Sequence, residues 1–214
     1  MFKNKKEGFT LAEVLIALVI IGVVAAITVP TIVANSNEKA LKAALKKNHS
    51  ILEQALRKYY IDNGINLGAD GETSNILYIQ NNFFYKYFNV ACSGTDCDLK
   101  NVAKEYRTYD GKYKADVRII DSSFKLILND GTLLEYSTGN SRYKTMYLFI
   151  DVNGPYKNPN QIGKDTFLYQ IFYENGKVVP GGASESNFPE STLCTKKSYS
   201  TQNGYGCTAK MLKD

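Results

Sequence analysis

The chain changes character abruptly between an apolar beginning and a mostly polar remainder. Residues 14–37 contain no charged side chain, and residues 14–34 are almost entirely apolar over 21 positions. Folded as a helix that rises about 1.5 Å per residue, those positions span about 31 Å, which matches a hydrocarbon core of about 30 Å. The pattern therefore predicts a helix that can cross a membrane.

A second helical pattern follows without a stop signal. Its apolar residues recur at steps of three, four or seven and form one stripe, with most charged residues on the other side. The stripe consists of Leu41, Ala44, Leu45, Leu52, Ala55, Leu56 and Tyr59. We therefore predict one helix over residues 9–62. It should bend at Pro30, which lacks an amide donor, and end at Asn63 and Gly64, because glycine tolerates a left-handed cap.

After Gly64 the pattern changes to short runs rich in Ile, Leu, Val, Phe and Tyr, which are typical of strands. These runs lie at residues 115–121, 124–130, 132–137, 145–152, 167–176 and 177–182. Asp-Gly and Asn-Gly turns at residues 129–132 and 174–177 predict hairpins, hence an antiparallel sheet. We expect an α+β fold in which the amphipathic part of the long helix packs on one face of that sheet. Residues 76–90 fit either a short helix or a strand.

Composition and charge exclude several functions. The chain has 214 residues, of which 44% are hydrophobic and 22% charged, as in ordinary globular proteins. Its net charge of +5 is small, and the sequence contains no dense run of basic residues. Nucleic-acid binding is therefore not indicated. The chain has one histidine, His49, and no phosphate-binding loop, H-E-x-x-H motif or nucleophile elbow. We therefore do not expect an enzyme.

The first residues form a recognisable motif. A short basic leader ends at Gly8, Phe9 follows, and a single carboxylate, Glu13, stands at the fifth position counted from Phe9. Pro30 falls at position 22 on the same count. This N-terminus resembles that of the type IV pilin and type II secretion pseudopilin family. The likeness covers about 25 residues, and the rest of the chain resembles the family in architecture.

The resemblance implies a processing and assembly pathway. A prepilin peptidase would cleave between Gly8 and Phe9 and methylate the new amine of Phe9. The subunit would then polymerise with itself or with other pilin-like subunits on an inner-membrane assembly platform. In the family, Glu13 pairs with the Phe9 amine of a neighbouring subunit. An intramembrane carboxylate is costly and is expected to have such a partner; the alternative is a Glu near the membrane surface.

The predicted organisation follows from these segments. Residues 1–8 form the leader, 9–35 the transmembrane and filament-core helix, 36–64 its amphipathic continuation, and 65–214 a globular domain. Lys3, Lys5 and Lys6 predict a cytoplasmic N-terminus. The lysines that follow the span oppose this, although long domains translocate largely regardless of charge. The globular domain would then lie in the periplasm or on the cell surface.

Two other interpretations of the N-terminus remain open. The apolar run followed by Ala25 and Ala26 could belong to a cleaved secretory signal, although Glu13 would then lie inside its apolar region. The run could also be a plain single-pass anchor. The chain would then be an exported, membrane-anchored binding protein that does not polymerise.

The four cysteines agree with export. Cys92 and Cys97 are one nearby pair, and Cys194 and Cys207 another. Four cysteines allow three connectivities, and we predict these two local disulfides because each pair brackets a turn-like stretch that contains glycine. A zinc site is the alternative, although neither spacing is the usual C-x2-C.

One segment carries ligand chemistry. Asp151, Asn153, Asn160 and Asp165 would offer carboxylate and amide oxygens from a loop between two strands, and Ca²⁺ prefers such ligands. The resemblance to the pseudopilin family, some of whose members bind calcium in this region, implies the same ligand here. The same residues would also suit a loop held by hydrogen bonds from Asx turns, so both readings stay open.

Overall fold

The computed structural model describes residues 8–69, 71, 75–99, 106–116, 124–137 and 144–213. The chain divides into two compact units, residues 1–40 and 41–214. The described α-helices are α1 (Leu11–Asn63), α2 (Ile76–Ile79), α3 (Tyr85–Tyr87), α4 (Glu190–Leu193) and α5 (Thr208–Lys213), with a π-helical turn at Gln80–Phe84 and a 3-10 turn at Gly94–Asp96. The described strands are β1 (Val90–Ser93), β2 (Lys125–Leu128), β3 (Leu133–Ser137), β4 (Thr145–Asp151), β5 (Thr166–Phe172) and β6 (Val178–Pro180).

The predicted long helix is confirmed, with α1 running through Pro30 without interruption. It ends where the sequence indicates. Gly64 adopts a φ of 71°, and its amide N–H donates to the carbonyl of Tyr60 at 2.8 Å. A side chain at this position would be strained, so glycine is the residue that lets the chain turn away here.

The strands form one antiparallel sheet in the order β1-β2-β3-β4-β5-β6. The predicted hairpins occur, with β2 pairing β3 and β5 pairing β6 around the two glycine turns. Residues 76–87 form α- and π-helical turns, and β1 follows them, so the ambiguous segment contains both kinds of structure. Of the strand predicted at 115–121, residues 117–121 lie outside the described residues.

One face of the sheet packs against the amphipathic part of α1. Leu45, Leu52 and Tyr59 of the helix are at most 1% exposed and share a core with alternate residues of the strands, such as Leu134 and Phe167. The predicted stripe is therefore the buried one. It also includes a polar residue, Asn48, whose side-chain amide donates to the carbonyl of Ala44 at 3.0 Å.

The opposite face of the sheet is buried as well. Alternate residues of the same strands, including Leu133, Phe149 and Leu168, form a second core with Tyr106 and Tyr205. These tyrosines belong to coil segments, one before β2 and one just before α5. Both faces of the sheet are therefore covered, one by a helix and the other largely by irregular chain.

Candidate functional site

Gly8 and Phe9 lie just before α1 and are exposed. The Phe9 side chain keeps 89% of its accessible surface and Leu11 keeps 79%. A Cβ atom built on Gly8 would have no atom within 4 Å. The fold therefore places no steric demand on Gly8, and its predicted role in processing would have to come from a protein that reads the exposed segment.

Glu13 has a partner within its own chain. The backbone N–H and the hydroxyl of Thr10 each donate to Oε2 of Glu13 at 2.8 Å, and the amide of Glu13 lies 3.3 Å from the hydroxyl of Thr10. This reciprocal arrangement is a capping box, which satisfies amide groups at the start of a helix. Sequence reasoning missed it, although Thr-Leu-Ala-Glu carries the S/T-x-x-E signature.

The apolar part of α1 is exposed throughout the described residues. Every described residue up to Ala40 is exposed. The most apolar window of α1 has a mean hydropathy of 2.7 and none of it is buried, so this helix is long and apolar enough to cross a membrane. Such a surface is stable only in a bilayer or against other apolar helices.

Pro30 lies in the interior of this helix, where two threonine hydroxyls accompany it. Thr28 donates to the carbonyl of Val24 at 2.8 Å, and Thr31 donates to that of Thr28 at 2.8 Å. Pro30 cannot donate a helix hydrogen bond of its own. The hydroxyl groups of these two threonines therefore donate hydrogen bonds to backbone carbonyls close to Pro30.

The loop between β4 and β5, with the strand ends beside it, carries the four proposed calcium ligands, and both of its carboxylates already accept hydrogen bonds. Asp151 accepts from the amide of Gly154 at 2.9 Å and from the hydroxyl of Tyr106 at 2.7 Å. Asp165 accepts from the amides of Asn160 and Gln161, both at 2.7 Å. These contacts are those of the hydrogen-bonded loop that the sequence offered as the alternative to calcium.

Two side-chain amide oxygens of the same loop have no hydrogen-bond partner. Oδ1 of Asn153 and Oδ1 of Asn160 are buried and accept no hydrogen bond within the structure. Burial raises the pKa of Asp151 to about 7, with the nearby Asp165 adding to the shift, and burial raises the pKa of Asp165 to about 6. Oxygen ligands of this kind fit a hard cation. Within the described ranges, no group of three or more His, Cys, Asp or Glu side chains could hold a metal.

The cysteines form the two local disulfides that the sequence predicts. Cys92 is bonded to Cys97, and Cys194 to Cys207. All four sulfurs are engaged, so none is available as a thiolate ligand for zinc. The second disulfide joins the end of α4 to the residue just before α5, and it holds the segment that carries Tyr205.

Comparison with known proteins identifies the N-terminal segment. Residues 3–29 match the family model of the prokaryotic N-terminal methylation motif. The chain is 43% identical over 60 residues to type II secretion system core protein G of Escherichia coli strain K12, which covers 28% of this chain and 41% of that protein. It is 40% identical over 63 residues to core protein G of Aeromonas hydrophila, which covers 29% and 43% of the two chains.

The chain therefore carries the methylation motif and is homologous over part of its length to type II secretion core protein G. The matches span only about four-tenths of the length of these curated relatives. No solved structure matches the chain significantly. The fold beyond the matched part thus has to be understood from its own residues.

Proposed function

We propose that this chain is the precursor of a pilin-like filament subunit, of the pseudopilin or type IV pilin kind. A prepilin peptidase would cut it between Gly8 and Phe9, the Phe9 amine would be methylated, and α1 would then drive assembly with other pilin-like subunits on an inner-membrane platform. The observation that carries the proposal is the methylation motif in register with a helix whose apolar part buries nothing.

A membrane and a filament supply the two environments that the apolar part of α1 needs in turn. Before assembly the helix would lie in the inner membrane, with the N-terminus cytoplasmic and the domain outside. Neighbouring helices would replace lipid once the subunit enters a filament. We propose that Pro30 acts within this segment, where the missing amide donor weakens the helix locally.

Glu13 would serve two partners. Its Oε2 caps its own helix through Thr10, while Oε1 accepts no hydrogen bond within the part of the chain that the structure describes. Cleavage creates a positive amine on Phe9 beside the positive end of the helix dipole, where a cation is unfavourable. A neighbour's Glu13 would neutralise that amine in a filament core, through the oxygen left over from capping.

Substitutions at Glu13 separate these two roles. Glu13→Gln keeps a capping side chain and loses the charge, whereas Glu13→Val loses both. If the charge pairs subunits, both variants should be cleaved and inserted normally but should fail to assemble, because an unpaired buried charge costs several kcal/mol per subunit. The measurement compares the sheared filament fraction, or secretion activity, with membrane-extracted monomer.

Thr10→Ala is the matched control, since it weakens the capping box and keeps the carboxylate. It should assemble. Normal assembly of Glu13→Gln alongside failure of Thr10→Ala would show that helix capping, and not charge pairing, is the role of Glu13. Normal assembly of all three variants would show that assembly needs neither the charge nor the capping box of Glu13. Absence of any sheared filament or secretion activity in the wild type would instead favour the alternative, a membrane-anchored protein that does not polymerise.

Processing can be tested at Gly8. Gly8→Val should leave the uncleaved precursor in the membrane, while its domain folds as before, because nothing lies within 4 Å of a side chain at this position. Intact mass and N-terminal sequencing should show a methylated Phe9 in the wild type. A mature protein that begins near Ile27 would indicate a secretory signal instead.

We also propose that the loop between β4 and β5 takes Ca²⁺, supported by the two unpartnered amide oxygens of Asn153 and Asn160. Asp151 and Asp165 would supply the negative charge, and the cation would offset their mutual repulsion. Thermal unfolding at pH 8 should then shift upward with Ca²⁺ relative to EGTA, and less with Mg²⁺. An Asp165→Asn variant should lose the shift. Unfolding that is insensitive to Ca²⁺ would leave the loop to its hydrogen bonds alone.

A further inference from the structure

An open pocket of about 390 Å³ lies on the second face of the sheet, away from α1 and from the loop between β4 and β5. Its volume falls within the ~300–1,000 Å³ that is usual for small-molecule sites. Three of its residues, Glu135, Phe149 and Leu168, are register partners in one row across β3, β4 and β5. The described lining residues are completed by Asp116, Ser137, Tyr147, Phe188, Gln202 and Tyr205.

Aromatic rings form a connected wall along this pocket. Tyr147 contacts Phe188 with ring centroids 5.6 Å apart, Phe188 contacts Tyr205 at 5.3 Å, and Tyr205 contacts Phe149 at 5.1 Å. The interplanar angles are 74°, 71° and 67°, so each ring stands steeply to the next. Rings arranged at such angles present π faces from several directions, as in the cages that recognise alkylated ammonium groups.

The carboxyl group of Glu135 lies within this lining, and one of its two oxygens has no hydrogen-bond partner. Glu135 is 8% exposed, and its Oε2 atom is buried and accepts no hydrogen bond. Burial alone raises the pKa of Glu135 to about 7. A buried carboxyl group left in this condition costs the fold free energy unless something compensates for it.

The charge of the lining residues indicates which kind of ligand could compensate for the buried carboxyl group. The described lining residues include two acids, Glu135 and Asp116, and neither lysine nor arginine. Aromatic faces and carboxylates both attract a cation, while neither attracts an anion. A metal ion is disfavoured because it needs several oxygen ligands, whereas rings make up much of this lining.

We propose that this pocket binds an organic ammonium ion, with its charge against Glu135 and its alkyl groups against the rings of Tyr147, Phe188 and Tyr205. Asp116 would add negative potential at the same pocket. A free quaternary amine and the side chain of a lysine on a partner protein share this chemistry. The proposal does not rest on the methylation motif, since the nine described lining residues lie between positions 116 and 205.

The test measures binding of two probes, choline and Nα-acetyl-lysine amide, to the full chain in an uncharged maltoside detergent. Calorimetric titration at pH 8 keeps the Glu135 carboxylate charged. The ligand control is the neutral isostere of choline, in which a tert-butyl group replaces the trimethylammonium group. We expect saturable binding of at least one cation and binding of the isostere that is about tenfold weaker or absent.

Three variants locate the binding. Glu135→Gln removes the charge with little change in shape and should weaken cation binding about tenfold or more. Phe188→Leu removes one ring from the wall and should weaken binding about threefold or more. Glu174→Gln makes the same charge change at an exposed residue outside this pocket and should bind as the wild type does. Circular dichroism checks that each variant is folded.

The probes also separate the two sources of the cation. Tighter binding of choline assigns the pocket to a free quaternary amine, and tighter binding of the lysine amide assigns it to a partner's lysine. The assignment is overturned if neither cation binds, if the neutral isostere binds as well as choline, or if Glu135→Gln binds like the wild type.

Discussion

Glu135 lies in the middle of β3, on the face of the sheet that carries the aromatic wall, and the buried Oε2 atom of its carboxyl group accepts no hydrogen bond. Burial raises its pKa to about 7, so the folded protein binds a proton there between about pH 4 and pH 7 that the unfolded chain does not. The stability due to this group is therefore complete below about pH 4 and is lost as the pH rises through 7. A residue that weakens the fold at neutral pH and lines a pocket is a candidate for binding.

A prediction at the scale of the residue follows. Glu135→Gln should raise the free energy of unfolding by roughly 1–3 kcal/mol at pH 8, because it removes the charge of a buried carboxyl group. The gain should vanish near pH 4, where the wild-type carboxyl group is already protonated. Urea unfolding at both values, followed by circular dichroism, measures the difference. A variant that is less stable than the wild type at pH 8 would show that Glu135 is satisfied in solution.

At the scale of the element, α1 is one continuous helix with two parts, an apolar exposed part and an amphipathic part that packs on the sheet. Its residues up to Ala40 are exposed, whereas Leu45, Leu52 and Tyr59 are buried against the sheet. Helix formation is local, so the backbone continues from one part to the other without a break. Only the part that packs against the sheet contributes to the stability of the globular domain.

Two leucines of α1 test this division. Leu52 is 1% exposed and Leu18 is 60% exposed. Leu52→Ala should lower the free energy of unfolding of the domain by about 2–5 kcal/mol, because it leaves a cavity in the core. Leu18→Ala should leave that value unchanged. Denaturation of the full chain in detergent, followed by tyrosine signals, measures both, since the chain has no tryptophan. Equal effects would contradict the division.

The two disulfides also act at the scale of the element. Cys194 and Cys207 are 13 residues apart, and Cys92 and Cys97 are 5 apart. Closing the longer loop removes more entropy from the unfolded chain, so replacing that pair by alanines should cost about 3 kcal/mol, against about 2 for the shorter pair. Urea unfolding of the two double variants gives the comparison. A larger loss from the shorter pair would show that loop entropy does not govern the difference.

At the scale of the whole molecule, the sheet is the layer around which the domain is built. Its first face meets a regular partner, the amphipathic part of α1, and its second face meets coil held by turns and by the disulfide of Cys194 and Cys207. The homology to core protein G covers only 28% of the chain. The second face and its pocket are therefore features to be tested in this protein itself.

Local chemistry explains why so much was predictable. Each of the signals used depends on residues that are close together in the chain: the apolar run, the stripe on α1, the glycine turns and the motif from Gly8 to Glu13. The sequence by itself therefore determined the long helix, the antiparallel sheet and the N-terminal motif. The capping box of Thr10 and Glu13 could also have been predicted from the sequence, because its S/T-x-x-E pattern is local.

Tertiary structure alone decided the remainder. A single Glu in a strand has the same local pattern whether it faces water or a ring, and Glu135 lies in its pocket because Phe188 and Tyr205, more than 50 positions away, fold over it. The roles of Asp151 and Asp165 likewise depended on which donors reached them. Asp151 accepts from Tyr106, 45 positions away, and Asp165 accepts from amides of its own loop. Contacts between residues far apart in the chain cannot be read from spacing, because the loops that join them have no periodic pattern.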